Sequence, residues 1–152
     1  MVSLDNLGAW LLKCNGNTSD IAEMAAQRTP TRQWCVQASY RTKLMAATQP
    51  VLFWVSGNQR RLTPGVWAIG ELTGPPVLDH DGDHPKLRVP LDLRWLDERC
   101  RIPRATLRAD ERLVAMEVLR QPQAANPSFV TKAQFDAIRD AIDDLGPDHL
   151  WR

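Results

Sequence analysis

The stretch VLFWVSGNQRRLTPGVWAIGEL, residues 51–72, decides the fold that we predict for this chain. The run VLFWVS is almost entirely apolar and rich in β-branched and aromatic side chains, as is typical of a strand buried on both faces. The turn pairs GN (57–58) and PG (64–65) enclose a polar loop, so the stretch predicts a hairpin with a long connection. Two of the six tryptophans lie on this hairpin, and Arg60 and Arg61 lie at its tip. The hairpin is therefore the predicted scaffold and part of the predicted site.

Strand patterns continue on both sides of the hairpin. The run AWLLKC (9–14) predicts a largely buried first strand. In LRVPLDLRW (87–95), apolar and polar residues alternate, which predicts a strand with one buried face. Proline cannot donate a hydrogen bond to a ladder, so Pro90 predicts an edge strand or a bulge at that position.

Short helices are predicted in both halves of the chain, and two of them lie in the C-terminal half. Asp110 is a candidate cap for a helix that contains Leu113, Met116 and Leu119. Thr131 and Gln134 form a capping box, which predicts a helix over 131–145. Strands that come early and helices that are short and scattered favour an α+β domain, a small barrel or curled sheet with helices packed on it.

Composition limits the function classes. The length of 152 residues suits one domain, 1–152, and the formal net charge of +1 gives no general attraction to nucleic acid or membrane. The charge is unevenly divided, because residues 1–76 carry seven Lys or Arg and four Asp or Glu. Three cysteines without a CxxC pair predict free thiols and a cytoplasmic protein. No apolar run approaches the ~20 residues of a membrane span, so no membrane partner is expected.

Sequence motifs for catalysis and cofactors are absent. No GxSxG, GxxxxGK[ST] or GxGxxG occurs, so no catalytic residue and no cofactor is assigned. The segment DHDGDH (79–84) carries two histidines and three aspartates, but it does not follow the calcium-loop pattern. We therefore interpret it as a solvated acidic loop and assign no metal.

Lys13 and Glu71 each lie at the polar end of a predicted core strand, where a charge is costly unless it is paired. Two interpretations remain open: either the two side chains form a structural ion pair, or they face a pocket and act there as base and acid.

The tryptophans offer a similar choice. Trp34 and Trp54 lie in or beside the predicted central sheet, where core packing alone would account for them. An open aromatic slot would instead stack a planar base, an interaction worth about 1–3 kcal/mol per base.

Several segments resemble the EVE domain of the PUA-like superfamily, which is related to the YTH readers of methylated RNA. WLLKCN (10–15) resembles the opening strand of both families, and VLFWVSG (51–57) and PGVWAIGEL (64–72) resemble two EVE strands. The spacing from Trp34 and Cys35 to the following helical segment is similar to that of the first cage tryptophan in YTH domains. The resemblance extends over about residues 9–142 and depends mainly on the order and spacing of these segments.

The resemblance implies a curled β-barrel with flanking helices and a pocket for a flipped, modified base. By position, Trp34 would form a wall of the cage, and Lys13, Cys14 and Asn15 its floor. Trp54 and Ser56 would face the pocket from the central strand. The chain departs from the families at two points: it has no second cage tryptophan after the hairpin, and VQAS (36–39) replaces the EVE motif GVRN.

Three hypotheses for function follow. The first is a module that recognises a modified base in DNA or RNA, with a set of basic residues holding the strand: Arg32, Arg41, Lys43, Arg60 and Arg61. The second is a small hydrolase acting on a modified nucleoside, similar to the ASCH branch of the superfamily, with Lys13 and Glu71 in its ligand site. The third is a protein-interaction domain in which every tryptophan belongs to the core.

Overall fold

A computed structural model describes residues 1–16, 20–57, 62–80, 82, 84–123 and 126–145, with side chains up to Ile142. The strands are β1 (Leu7–Asn15), β2 (Gln33–Val36), β3 (Pro50–Ser56), β4 (Gly65–Leu72), β5 (Val77–Asp79), β6 (Lys86–Trp95), β7 (Ile102–Pro103) and β8 (Ser128–Thr131). The α-helices are α1 (Ile21–Ala26), α2 (Arg104–Ala109), α3 (Glu117–Arg120) and α4 (Lys132–Leu145).

The strands form one sheet in the order β2-β6-β4-β3-β1-β8, with β5 paired to β6 and β7 paired to β4. The predicted hairpin is present as the antiparallel pair β3 and β4, and β1 runs parallel to β3 on its other side. Trp34 on β2 contacts Phe53 on β3 with ring centroids 4.8 Å apart. In a flat sheet these strands would be about 14 Å apart, because three strand spacings separate them. The sheet is therefore curled, and the predicted α+β curled barrel is confirmed.

Strand β3 is buried on both faces, as its composition predicts. Its odd-numbered residues belong to an inner cluster inside the curl, which includes Phe53, Trp10 and Trp95. Its even-numbered residues, Leu52 and Trp54, belong to a second cluster under the helices. The helix-side cluster is completed by residues of α2, α3 and α4. Side chains at adjacent positions of this strand thus lie in different environments.

Two local predictions need correction. Pro90 lies neither at a sheet edge nor at a recorded bulge: β4 pairs with β6 from residue 91 onward and β5 pairs with it up to residue 88. Proline fits here because its missing N–H falls where β6 changes partners. Asp110 caps a turn, since its side chain accepts from the main-chain N–H of Arg112 (2.9 Å), but the predicted helix does not continue to Leu119, because Met116 is extended (ψ 138°). The helical residues are instead Arg104–Ala109 and Glu117–Arg120.

The C-terminal helix is confirmed with its cap. The main-chain N–H of Gln134 donates to Oγ1 of Thr131 (3.2 Å), and the main-chain N–H of Thr131 donates to Oε1 of Gln134 (2.9 Å). Phe135, Ile138 and Ile142 pack into the helix-side cluster. No helix in the described part of the chain is long and apolar enough to cross a membrane.

Candidate functional site

Trp34 lies on β2 opposite Val89 of β6, and its ring meets Phe53 edge to face. Its indole Nε1–H donates to the main-chain oxygen of Lys13 on β1 (3.2 Å). Strands β1 and β2 are not neighbours in the ladder, so this bond joins the two sides of the curled sheet. The tryptophan is only half-buried, although it packs against the inner cluster.

Asn126 completes this junction between β1 and β2. Its Oδ1 accepts from the main-chain N–H of Lys13 (3.2 Å), and its Nδ2 donates to the oxygen of Cys35 (3.1 Å). The main-chain N–H of Gln37 donates to the oxygen of Asn126 (2.7 Å). We call Lys13, Trp34, Cys35, Gln37 and Asn126 the seam. Sequence reasoning did not find Asn126, because an Asn-Pro pair by itself signals only a turn.

A largely buried ion pair, Arg41 with Glu117, lies beside the seam. Arg41 donates two hydrogen bonds to the carboxylate of Glu117, at 2.6 and 2.7 Å, and the Ser128 hydroxyl donates to the same carboxylate (2.7 Å). The side chains of Arg41 and Glu117 are only 19% and 18% exposed. Arg41 is thus held in a structural pair, and this geometry does not favour its predicted role as a free contact for nucleic-acid phosphates.

The interaction between Arg41 and Glu117 shifts the pKa values of both side chains. Burial alone would raise the pKa of Glu117, but the hydrogen bonds from Arg41 and Ser128 outweigh it, so the pKa lies below its usual value. The hydrogen bond to Glu117 is also the main reason why the pKa of Arg41 is raised. Glu117 therefore remains a carboxylate throughout the neutral range.

Lys13 is close to this pair and not to Glu71. Burial lowers the pKa of Lys13, Glu117 partly opposes that effect, and Arg41 adds to it. Lys13 pairs in register with Trp54, which pairs with Val66 of β4. Glu71 lies five residues further along β4, about 16 Å at the usual rise per residue. Lys13 and Glu71 are therefore not brought together, so both predictions for them, the structural ion pair and the base with its acid, were wrong.

The predicted pocket residues divide between the two faces of the sheet. Trp54 is 2% exposed and packs on the helix side, so it does not face Trp34; this corrects the prediction that both line one pocket. Cys14 is buried in the inner cluster, and Ser56 donates its hydroxyl to the oxygen of Cys14 (3.1 Å). Asn15 pairs with Ser56 in register at the end of the strands.

The remaining predicted cations have different surroundings. Arg32 forms an exposed salt bridge with Asp92 at 2.5 Å, with side chains 72% and 56% exposed, and such pairs contribute little to stability. Lys43 is exposed on a short 3₁₀ turn. Arg60 and Arg61 lie outside the described residues, as do Asp81 and Asp83 of the acidic loop.

Two cavities are relevant to binding. The larger, of about 480 Å³, is lined by apolar residues that include Leu93 and Trp95 and by two ion pairs, Arg28 with Asp97 and Arg32 with Asp92. The second, of about 310 Å³, lies at the hairpin end of β4 and is lined by Trp67 and Arg101. Trp34 lines neither cavity. The exposed part of the Trp34 ring is thus a surface rather than the wall of a large open pocket.

Solved structures with the same fold exist. The chain is similar to a hypothetical protein from Leishmania major, with 17% identity, a TM-score of 0.65, and coverage of 93% of this chain and 98% of that one. It is also similar to a protein from Pseudomonas syringae (16% identity, TM-score 0.63, 87% and 97% covered) and to Rpa0253 from Rhodopseudomonas palustris (15%, 0.64, 96% and 100%). No protein-family profile and no curated protein matches the sequence. At this level of identity the likeness establishes the curled-barrel fold alone.

Proposed function

We propose that this chain is an EVE-type, PUA-like module of the cytoplasm that binds a flipped, modified base of DNA or RNA at the seam. The observation that carries the proposal is the state of Trp34. Its orientation is fixed by the bond to the Lys13 oxygen, yet its side chain is half-buried rather than enclosed. A fixed and partly exposed ring is a suitable surface for stacking a base, because it loses little conformational freedom on binding.

Contrast with the other tryptophans supports this choice. Trp10 is fully buried and Trp54 nearly so, and both are accounted for by core packing. Trp34 packs against the inner cluster through Phe53 without being covered by it. Core packing would favour a fully covered ring, whereas stacking of a planar ligand needs part of the ring to be accessible, as it is at Trp34.

The polar groups needed to recognise a base edge are also at the seam. The main-chain N–H of Lys13 and the main-chain oxygen of Cys35 are both bound by the Asn126 side chain. A base that displaced this amide would meet one donor and one acceptor beside the ring of Trp34. Flipping a base costs a few kcal/mol and costs least in a single strand, so we expect single-stranded ligands to bind best.

The test is a binding titration with short single-stranded oligonucleotides that carry one modified base each. Replacing Trp34 with alanine should weaken binding by about 5- to 150-fold, since stacking contributes about 1–3 kcal/mol. Trp34→Phe keeps a ring and loses the bond to Lys13, so its affinity should fall between those of the wild type and Trp34→Ala.

Trp54→Phe is the matched control, because Trp54 lies on the opposite face of the sheet and should leave affinity unchanged. Circular dichroism establishes that each variant is folded. A folded Trp34→Ala variant that binds every oligonucleotide as tightly as the wild type would refute the proposal.

A further inference from the structure

A run of arginines follows strand β6. Residues 99–109 contain four arginines and no acidic residue: Arg99, Arg101, Arg104 and Arg108. In the part of the chain that the structure describes, none of these four forms a salt bridge. Arg112, which comes shortly afterwards, differs because it pairs with Asp110 at 2.9 Å. Within the described residues, these four arginines are therefore not held in ion pairs, although Glu98 lies near Arg101.

Arg101 is held in place by a tryptophan. Its guanidinium lies over the ring of Trp67 at 3.9 Å from the centroid, a cation–π distance. Trp67 is itself fixed, since its indole N–H donates to the oxygen of Thr63 (2.9 Å). The Nε of Arg101 is buried and has no hydrogen-bond partner among the described residues. Trp67, Arg101 and Glu98 line the 310 Å³ cavity, so the fixed guanidinium stands at the edge of a space large enough for a phosphate, with one carboxylate nearby.

Arg104 and Arg108 stand next to this cavity on a firmly attached helix. They are four residues apart on α2 and so share one of its faces, while Leu107 anchors the helix in the core. The main-chain N–H of Arg104 donates to the oxygen of Pro64 (2.8 Å), and Pro103 pairs with Gly65. A Cβ at position 65 would be 2.1 Å from the oxygen of Ile102, so glycine permits this close approach. The arginines thus project from a rigid part of the fold.

We propose that Arg101, Arg104 and Arg108, which we call the arginine ridge, contact successive phosphates of a single-stranded nucleic acid. This inference rests on the proposed function and supplies the backbone contacts that Arg41 cannot provide. A polynucleotide matches the ridge because its phosphates carry the opposite charge, and guanidinium groups bind phosphate with two parallel hydrogen bonds. An anionic membrane fits less well, because α2 buries its leucine and offers no apolar face to a lipid surface.

The experiment measures the binding of an unmodified twelve-residue oligothymidylate as a function of salt. The logarithm of the affinity should fall linearly with the logarithm of the salt concentration, and each phosphate contact should add about 0.7 to the steepness of that slope. The double variant Arg104→Gln and Arg108→Gln should flatten the slope by about 1.4. Arg101→Gln should flatten it by about 0.7, and Arg101→Lys should restore the slope because it keeps the charge.

Arg108→Gln and Arg112→Gln are a matched pair: each removes one exposed positive charge from the same region. Arg112 is already paired with Asp110, so its replacement should leave the slope unchanged. Equal effects of the two variants would indicate a general charge effect and would overturn the ridge. A second result would also overturn the ridge: the arginine-to-glutamine variants lose binding to phosphatidylserine vesicles, while the salt slope of their oligothymidylate binding stays that of the wild type.

The oligonucleotide carries no modification, so this experiment is independent of base recognition. Trp34→Ala should keep the wild-type salt slope while it loses the preference for a modified base. If the ridge variants leave the slope unaltered, the ridge is refuted and the base site at Trp34 stands. If Trp34→Ala keeps its base preference, the proposed function fails instead, and a flattened slope in the ridge variants still supports phosphate contact.

Discussion

Trp34 and Trp54 lie in the same curled sheet, but their strands occupy different places in it. Trp54 belongs to β3, a central strand with neighbours on both sides and clusters on both faces. Trp34 belongs to β2, a four-residue strand at the end of the sheet order, and only part of its ring is covered. The position of the strand in the sheet, rather than the residue type, decides whether a tryptophan is core or surface.

The largest expected effect follows from this contrast. Trp54→Ala should lower the free energy of unfolding by about 3–5 kcal/mol, because a fully buried ring leaves a cavity. Trp34→Ala should cost markedly less, since part of its ring already faces solvent. Urea denaturation of both variants measures the two losses. Equal losses would show that Trp34 is as much a core residue as Trp54.

A second prediction concerns the ion pair beside the seam. Glu117→Gln should lower stability at pH 7 by about 1–3 kcal/mol, because it leaves Arg41 without its charged partner. The pKa of Glu117 is depressed in the folded state, so its contribution is complete above the unfolded pKa of about 4.3 and is lost as the pH falls through the folded value. Urea denaturation from pH 7 to pH 3 should show the gap between wild type and variant narrowing. A gap that stays constant with pH would contradict this assignment.

Asn126→Ala tests whether the seam depends on one side chain. The variant removes the hydrogen bond that the Asn126 side chain accepts from Lys13 and the one that it donates to Cys35, and we expect a loss of about 1 kcal/mol for these partly exposed groups. Hydrogen exchange at the main-chain N–H of Lys13 should accelerate, while that of Phe53 in the centre of β3 should not. Unchanged exchange at Lys13 would mean that the seam does not depend on the Asn126 side chain.

The smallest effect is expected at the exposed pair of Arg32 and Asp92. Both side chains are more than half exposed, so Arg32→Ala should alter the free energy of unfolding by no more than about 0.5 kcal/mol. Thermal unfolding at low and high salt measures this difference. A loss comparable with that of Glu117→Gln would show that exposure does not separate the two pairs.

Local patterns in the sequence predicted much of the fold. The hairpin of β3 and β4, the alternating strand β6 and the capped helix α4 all lie where short-range periodicity and turn residues place them. The helix predicted after Asp110 was wrong, because its apolar spacing is equally satisfied by two short turns that bury Leu113 and Met116. The order of strands and helices favoured a small barrel or a curled sheet, and the family resemblance narrowed this to a curled β-barrel.

The amino-acid sequence alone determined which segments become strands and helices and which residues carry the aromatic and basic side chains. The tertiary structure alone decided their partners: Arg41 bonds to Glu117 across 76 residues, and Lys13 to Asn126 across 113. It also placed Trp34 and Trp54 on opposite faces and brought Arg101 onto Trp67. Periodicity reports only which face of its own element a residue occupies. Which distant residue meets that face depends on how the sheet curls and how the helices pack on it.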